Sequence, residues 1–150
     1  MSNMWENGPI PEELSMFPGY LMARLGQASA ARFHAALVPE NLHPRHFGVM
    51  TIVAAHPGIS QQRLHEQTAI DPSSMVSVID ELEQLGLAER RPHPEDRRAR
   101  AIYLTDQGQR KLERARALAG ELQREFFAAL TAAERTTLIG LLRKLAGADS

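Results

Sequence analysis

The chain has 150 residues, 43% of them hydrophobic and 23% charged, with a formal net charge of −1. That is the balance of one globular domain long enough to bury a core, and it gives no overall attraction to nucleic acid, so such a role must rest on local charge. The absence of cysteine excludes disulfides, cysteine–zinc sites and thiol redox sensing, and with no apolar run near the ~20 residues of a membrane span and no signal peptide, a soluble cytoplasmic protein is expected.

Residues 1–13 carry Gly8, Pro9 and Pro11 with little periodicity and read as an irregular arm. Trp5 within it is expected to pack on its own domain or on a partner subunit. Leu14, Phe17, Leu21, Leu25, Ala28 and Ala35 keep helical spacing over 14–38, with a break at Pro18-Gly19 and a stop before Pro39. A second helix begins at His43-Pro44 and runs to about Ala55, with Phe47, Met50, Ile52 and Val53 apolar, until Pro57-Gly58 ends it. Ser60 caps a short third helix to Gln67. After Thr68-Ala69-Ile70, Asp71 caps a fourth, with Pro72 at its first position and Met75, Ile79, Leu82 and Leu85 as one buried stripe; Gly86 ends it. Two short helices joined by about three residues have the spacing of a helix-turn-helix.

Leu87–Arg91 and Ala101–Leu104 flank a polar tip and predict a two-stranded hairpin. Thr105 caps a further helix on which Leu112, Ala115, Ala119, Leu122, Phe126 and Ala129 recur at steps of three and four, a heptad-like seam. Thr131 and Glu134 form a capping box for the last helix, with Leu138, Leu141, Leu142 and Leu145 as its stripe. Such seams cannot stay in water, and the end helices are too few for a bundle of their own. A homodimer of interdigitating terminal helices is expected. There is no internal repeat.

A helix in the major groove meets bases near its N-terminus. On the Asp71 helix the outward residues there are Pro72, Ser73, Ser74, Val76 and Ser77. Serines can bond phosphates or bases, and Val76 or Pro72 can touch a thymine methyl. No Arg or Asn is placed for a bidentate base contact, so groove shape is expected to carry much of the readout. Ser60 and Gln61 add contacts from the preceding helix. Between Glu89 and Arg100, five arginines (90, 91, 97, 98 and 100) face three acids. Pro92, Pro94 and Glu95-Asp96 make a turn that projects the arginines; Arg91, Arg97, Arg98 and Arg100 are the candidate DNA contacts, since a narrow minor groove attracts them. Asp96 is expected to brace Arg98 or Arg100 through a carboxylate–guanidinium bond.

The order of elements, the stretch Asp80-Glu81-Leu82-Glu83-Gln84-Leu85-Gly86-Leu87-Ala88-Glu89-Arg90, and Pro94-Glu95-Asp96-Arg97-Arg98-Ala99-Arg100 running into Tyr103-Leu104-Thr105-Asp106-Gln107-Gly108 together resemble the MarR family of winged helix-turn-helix transcriptional regulators, over roughly residues 14–146. The resemblance implies a mainly α (α+β) fold. Within a single domain over 14–150, a winged helix-turn-helix lobe at 43–104 carries a two-stranded wing, flanked by dimerisation helices at 14–38 and 105–146. It further implies a sequence-specific regulator, a repressor, that binds an imperfect palindromic operator as an obligate dimer and is released by a small aromatic or phenolic ligand. Ser73, Ser74, Val76 and Ser77 then fall on base- and phosphate-contacting positions and Arg98 on the wing arginine. Ser77 stands where many members carry Arg, and Val76 where many carry Thr; this bears on the operator sequence, not on the binding mode. Effectors of the family often bind between the dimer helices and the DNA-binding lobe, where Tyr20, Arg24, Phe33, His46, Phe47 and Met50 are the candidates.

Other readings carry less. The six histidines include His43 and His46 three apart, with no convergent carboxylates or thiols, so no metal and no cofactor is expected. An enzyme using His93 with Glu95 or Asp96 lacks a nucleophile elbow, Gly-rich loop or metal motif. A DNA-organising protein without a ligand switch is the alternative in the same class.

Overall fold

The computed structural model describes residues 8–148; Trp5 lies outside them. Helix α1 (Pro18–Leu37) follows a 3-10 turn at Glu12–Leu14, so Leu14 and Phe17 precede the helix, which starts at the expected break. A second 3-10 turn, Val38–Glu40, leads into α2 (Pro44–Ala55), β1 (Ile59–Ser60), α3 (Gln61–Thr68) and α4 (Pro72–Gln84). Strands β2 (Ala88–Pro92) and β3 (Arg100–Leu104), then α5 (Asp106–Phe126) and α6 (Ala132–Leu145), complete the order. No described helix is long and apolar enough to cross a membrane.

The local signals act as the sequence suggested. Ser60 Oγ accepts the Arg63 N–H at 3.2 Å and Asp71 Oδ1 the Ser74 N–H at 2.9 Å, each satisfying an amide the first helical turn leaves open. Gly86, at φ 71°, closes α4 while the Leu87 N–H bonds back to the Leu82 carbonyl at 2.9 Å. Thr131 and Glu134 form the expected reciprocal cap of α6.

The hairpin is present, with Arg90 opposite Ile102 and Pro92 opposite Arg100, but the sheet has three strands rather than two. Ile59 and Ser60 pair antiparallel with Ile102 and Ala101 on the other edge of β3. With both edges paired, β3 buries Ala101 as well as Ile102. A two-residue strand is too short to alternate, which is why nothing in the sequence announced it.

The described residues divide into two compact units, one of residues up to Ala30 with those from Ala119 onward, the other Ala31–Leu118. The second holds the core. Leu37, Val49, Met50, Val53, Leu64, Met75, Val78, Ile79, Leu82, Leu87, Ile102, Leu112 and Ala115 are all buried there. This unit is wider than a 43–104 lobe because the end of α1 and the first turns of α5 supply core residues. The expected seam of α5 is accordingly divided. Leu112 and Ala115 serve this core, Leu122 and Phe126 are half-buried in the other unit, and Ala129 lies beyond the helix end. Helix α6 has no buried residue, and Ile139, Leu141 and Leu145 are more than half exposed.

One close approach fixes how α5 leaves the sheet. Thr105 donates its N–H to the Leu87 carbonyl (3.1 Å) and its hydroxyl to the Gly86 carbonyl (2.6 Å), and its Oγ1 accepts the Gly108 N–H (3.0 Å). A Cβ on Gly108 would lie 1.9 Å from the Leu87 carbonyl oxygen, whereas one on Gly48, inside α2, meets nothing within 4 Å. Gly108→Ala should therefore destabilise by about 3 kcal/mol or more, the upper range for overpacking against backbone. Gly48→Ala should stabilise by about 0.5–1 kcal/mol through helix propensity. Urea midpoints of the two variants against the wild type read this opposition of sign; equal effects would show the close approach to be absent.

Candidate nucleic-acid interface

Helices α3 and α4 are joined by Ala69, Ile70 and Asp71, with Ala69 in the left-handed region at φ 54°. Because Met75, Val78, Ile79 and Leu82 are consumed by the core, the first half of α4 turns Pro72, Ser73, Val76 and Ser77 outward, and Val76 keeps 41% of its surface in water; Ser74 is half-buried. Two of the serines are already engaged. Ser73 donates its hydroxyl to Asp71 Oδ1 at 2.7 Å and Ser77 donates to the Ser73 carbonyl at 3.3 Å, leaving lone pairs rather than protons outward. The amide and hydroxyl donors of Ser74 and Ser73 hold the Asp71 carboxyl well below the usual carboxylate range. The positive end of α4 is thus occupied by the chain's own carboxylate.

The hairpin tip is closed by its own backbone. The His93 N–H bonds the Ala99 carbonyl and the Ala99 N–H the Asp96 carbonyl, both at 3.1 Å. Asp96 does brace the tip, but its Oδ1 accepts the backbone N–H of Arg98 at 2.9 Å instead of a guanidinium. The reason is reach: a short carboxylate caps the amide two residues on more easily than it meets a long side chain pointing away. The consequence is favourable for an anionic partner. Among the described residues the guanidinium groups of Arg97, Arg98 and Arg100 pair with no carboxylate, and all three are exposed. Arg91 differs, since it pairs with Glu89 and stands 4.4 Å over the Tyr103 ring. Ser60, Gln61 and Gln62 line one cleft with Asp96, Arg98, Ala99 and Arg100, so the start of α3 and the hairpin tip border the same space.

Arg90, counted only as one of the run of arginines in the sequence, has turned inward. Its Nη1 meets Asp80 Oδ1 at 2.7 Å and Glu83 Oε2 at 2.5 Å, its Nε donates to Gln61 Oε1 at 3.3 Å and its Nη2 to the Val76 carbonyl at 3.3 Å. The signal was available: strand residues alternate faces, so Arg90 and Arg91 must part, and Asp80 and Glu83 are three apart on one helical face.

The candidate ligand residues are divided between the units. In the first, Arg24 donates to the Tyr20 hydroxyl at 3.0 Å and to the Gly8 carbonyl at 2.9 Å. In the second, Phe33 and Phe47 meet edge to face with centroids 5.0 Å apart, while Met50 is fully buried and His46 is 3% exposed. His46 has a defined tautomer. Its Nδ1 accepts the His43 N–H at 3.0 Å, capping α2, so the proton sits on Nε2, which faces Glu81 Oε2 at 2.6 Å. Arg45 donates to both oxygens of the same carboxylate at 2.8 and 2.9 Å. Burial pushes the His46 pKa down against the opposing pull of Glu81, and the hydrogen bond from His46, then Arg45, holds Glu81 below its ordinary value. No group of residues able to hold a metal ion occurs among the described residues.

Comparison with known proteins agrees with this geometry. The sequence profile described as MarR family matches residues 40–99. A protein of Thauera aromatica assigned as transcriptional regulatory protein for the hcr operon is 37% identical over 129 residues, covering 85% of this chain and 78% of its own. The transcriptional repressor CouR bound to a 23-mer DNA duplex superposes with a TM-score of 0.84 at 29% identity, over 93% of this chain and 99% of that one. CouR from Rhodococcus jostii RHA1 bound to p-coumaroyl-CoA gives 0.80 at 28%, over 91% and 96%.

The state of His46 sets a pH dependence. A histidine whose folded pKa is depressed leaves the unfolded chain binding more protons below the ordinary value near 6.5, so its stabilising contribution is complete above that pH and declines as pH falls toward the folded pKa. Wild-type stability should drop between pH 7.5 and 5.5. In His46→Gln, whose amide can keep both hydrogen bonds, that slope should shrink by up to one proton, about 1.4 kcal/mol per pH unit. Urea midpoints across this range, with identical slopes for the two proteins, would remove His46 from the account.

Proposed function

The chain belongs to the MarR family of transcriptional regulators, and from that premise we propose that it is a sequence-specific double-stranded DNA-binding repressor that acts in the cytoplasm as a homodimer on a palindromic operator. The observation that carries this reading is the trio of unpaired guanidinium groups, Arg97, Arg98 and Arg100, on a braced tip beside a helix-turn-helix. In this reading α4 enters the major groove, with Pro72 and Val76 against thymine methyls and Ser73, Ser74 and Ser77 toward bases and phosphates. Ser60 and Gln61 meet the backbone, and the tip arginines enter the minor groove, Arg98 deepest. Arg91 contributes charge at the groove edge. Asp71 at the N-terminus of α4 repels phosphate there, which favours groove contacts farther along the helix.

Dimerisation is supported by α6. Leu141, Leu142 and Leu145 are 56%, 41% and 73% exposed, an apolar stripe at helical spacing that a lone subunit would hold in water. Release by a small aromatic or phenolic ligand is supported by the ligand-bound state of CouR, with Tyr20 and Arg24 as the candidate contacts in one unit and Phe33, His46, Phe47 and Met50 in the other; since Met50 and His46 are enclosed, such a ligand would have to part core side chains to touch them.

Footprinting on the DNA flanking its own gene tests the whole reading. One protected palindrome is the expected result; even coverage of any duplex would favour the DNA-organising alternative. Arg98→Ala should weaken operator binding by about 1–3 kcal/mol and reduce the salt slope by about one unit, read by fluorescence anisotropy at several salt concentrations. Leu145→Glu should shift the sedimentation coefficient from dimer toward monomer and weaken operator binding with it; an unchanged dimer would put the interface elsewhere.

A further inference from the structure

We infer that Arg90 is a positioning residue for the DNA-reading surface: its guanidinium fixes the angle between α4 and the hairpin rather than touching DNA. The inference rests on the DNA-binding reading above. An arginine has five N–H donors, and three of those of Arg90 donate, one each to Glu83, Gln61 and the Val76 carbonyl, while the Asp80 carboxylate forms a further ion pair with the same Nη1 that meets Glu83. Its backbone N–H is also held, by Glu83 Oε1 at 2.8 Å. The side chain is largely enclosed, in contrast to the exposed arginines of the tip. A guanidinium so committed has little left for a phosphate.

What it joins decides what it does. Asp80, Glu83 and Val76 belong to α4, Gln61 begins α3, and Arg90 itself lies in β2, two residues before the strand ends at Pro92. One side chain therefore ties the recognition helix, the helix before it and the root of the hairpin. At ~3.3 Å per strand residue the tip stands roughly 15 Å beyond this root, so a tilt of about 10° there would carry an arginine head by roughly 2–3 Å, about one hydrogen-bond length. The same contacts orient Gln61: with its oxygen held by Arg90, its amide N–H₂ is the end left to donate.

The test uses the full chain, a duplex recovered by in vitro selection on the wild type, and a scrambled duplex of equal length. Arg90→Lys keeps the cation but cannot reach four acceptors at once. It should lose about tenfold or more in affinity for the selected duplex, keep its weak affinity for the scrambled one, and show an unchanged salt slope. A Lys variant that retains selectivity, or an Arg90→Met variant whose slope falls by about one, would identify Arg90 as a direct phosphate contact and overturn the inference. Asp80→Asn guards against a variant that fails to fold. It removes a negative charge from a DNA-facing helix, so charge alone would tighten binding; the clamp requires weaker, less selective binding, and the opposite result overturns it. Amide exchange on α4, measured without DNA, should quicken across Val76–Glu83 in both variants. Unchanged protection overturns the clamp even if the wild type selects no duplex, an outcome that would count against the DNA-binding reading itself.

Discussion

The carbonyl of Leu87 is where the molecule's order is decided. The Leu87 N–H closes α4 onto Leu82, its side chain is buried in the core, and its C=O takes the Thr105 N–H that ends β3. The same oxygen fills the space a Cβ on Gly108 would need. The end of one helix, the root of a hairpin and the start of another helix are thus fixed through a single residue, by bonds between backbone groups that leave little angular freedom. Everything that faces outward from α4 and from the hairpin inherits its direction from this junction.

Charge is then distributed by distance from that junction, not by residue type. Near the root Arg90 is drawn into carboxylates on α4. One residue on, Arg91 turns to the other face and settles on Glu89 and Tyr103. Arg97 and Arg98 lie in the tip and Arg100 at the outermost pair of the sheet, and among the described residues the guanidinium groups of these three pair with no carboxylate. A chain of net charge −1 can in this way present unpaired arginines at one tip, because the acids of α4 are engaged nearer the core and the tip's own Asp96 is turned onto a backbone amide.

Much of this was legible in the sequence, and the reasons divide cleanly. Caps, breaks and the stripe of α4 depend on contacts within a few residues, so Ser60, Asp71, Gly86, Thr105 and Thr131 could be assigned their places before any tertiary information. Features that depend on a distant partner could not. The strand at Ile59–Ser60 exists because β3 offers it an edge; Val78 is buried because the core surrounds α4 more widely than one stripe; the seam of α5 is divided because only its first turns reach the core. Asp96 was recognised as a brace, but its target was chosen by chain geometry, which favours the near amide. The inward turn of Arg90 lay in plain view in the period-two rule, hidden only by the habit of counting an arginine run as one feature.

The acids of α4 explain how so plain a recognition surface can work. Asp80, Glu81 and Glu83 follow one another around the second half of the helix, and each is tied down: the outer two by Arg90 from the sheet, the middle one by Arg45 and His46 from α2. The first half carries only short side chains, none able to grip a base in two places. Side chains of that kind contribute by fitting, and fit requires that the helix not roll. A long arginine or glutamine could compensate for a misplaced axis by bending toward its target; serine and valine cannot. The weaker the individual contacts at Pro72–Ser77, the more the affinity must depend on the rigid placement of the backbone that bears them, and the ionic ties on the far half of the same helix are what supply it.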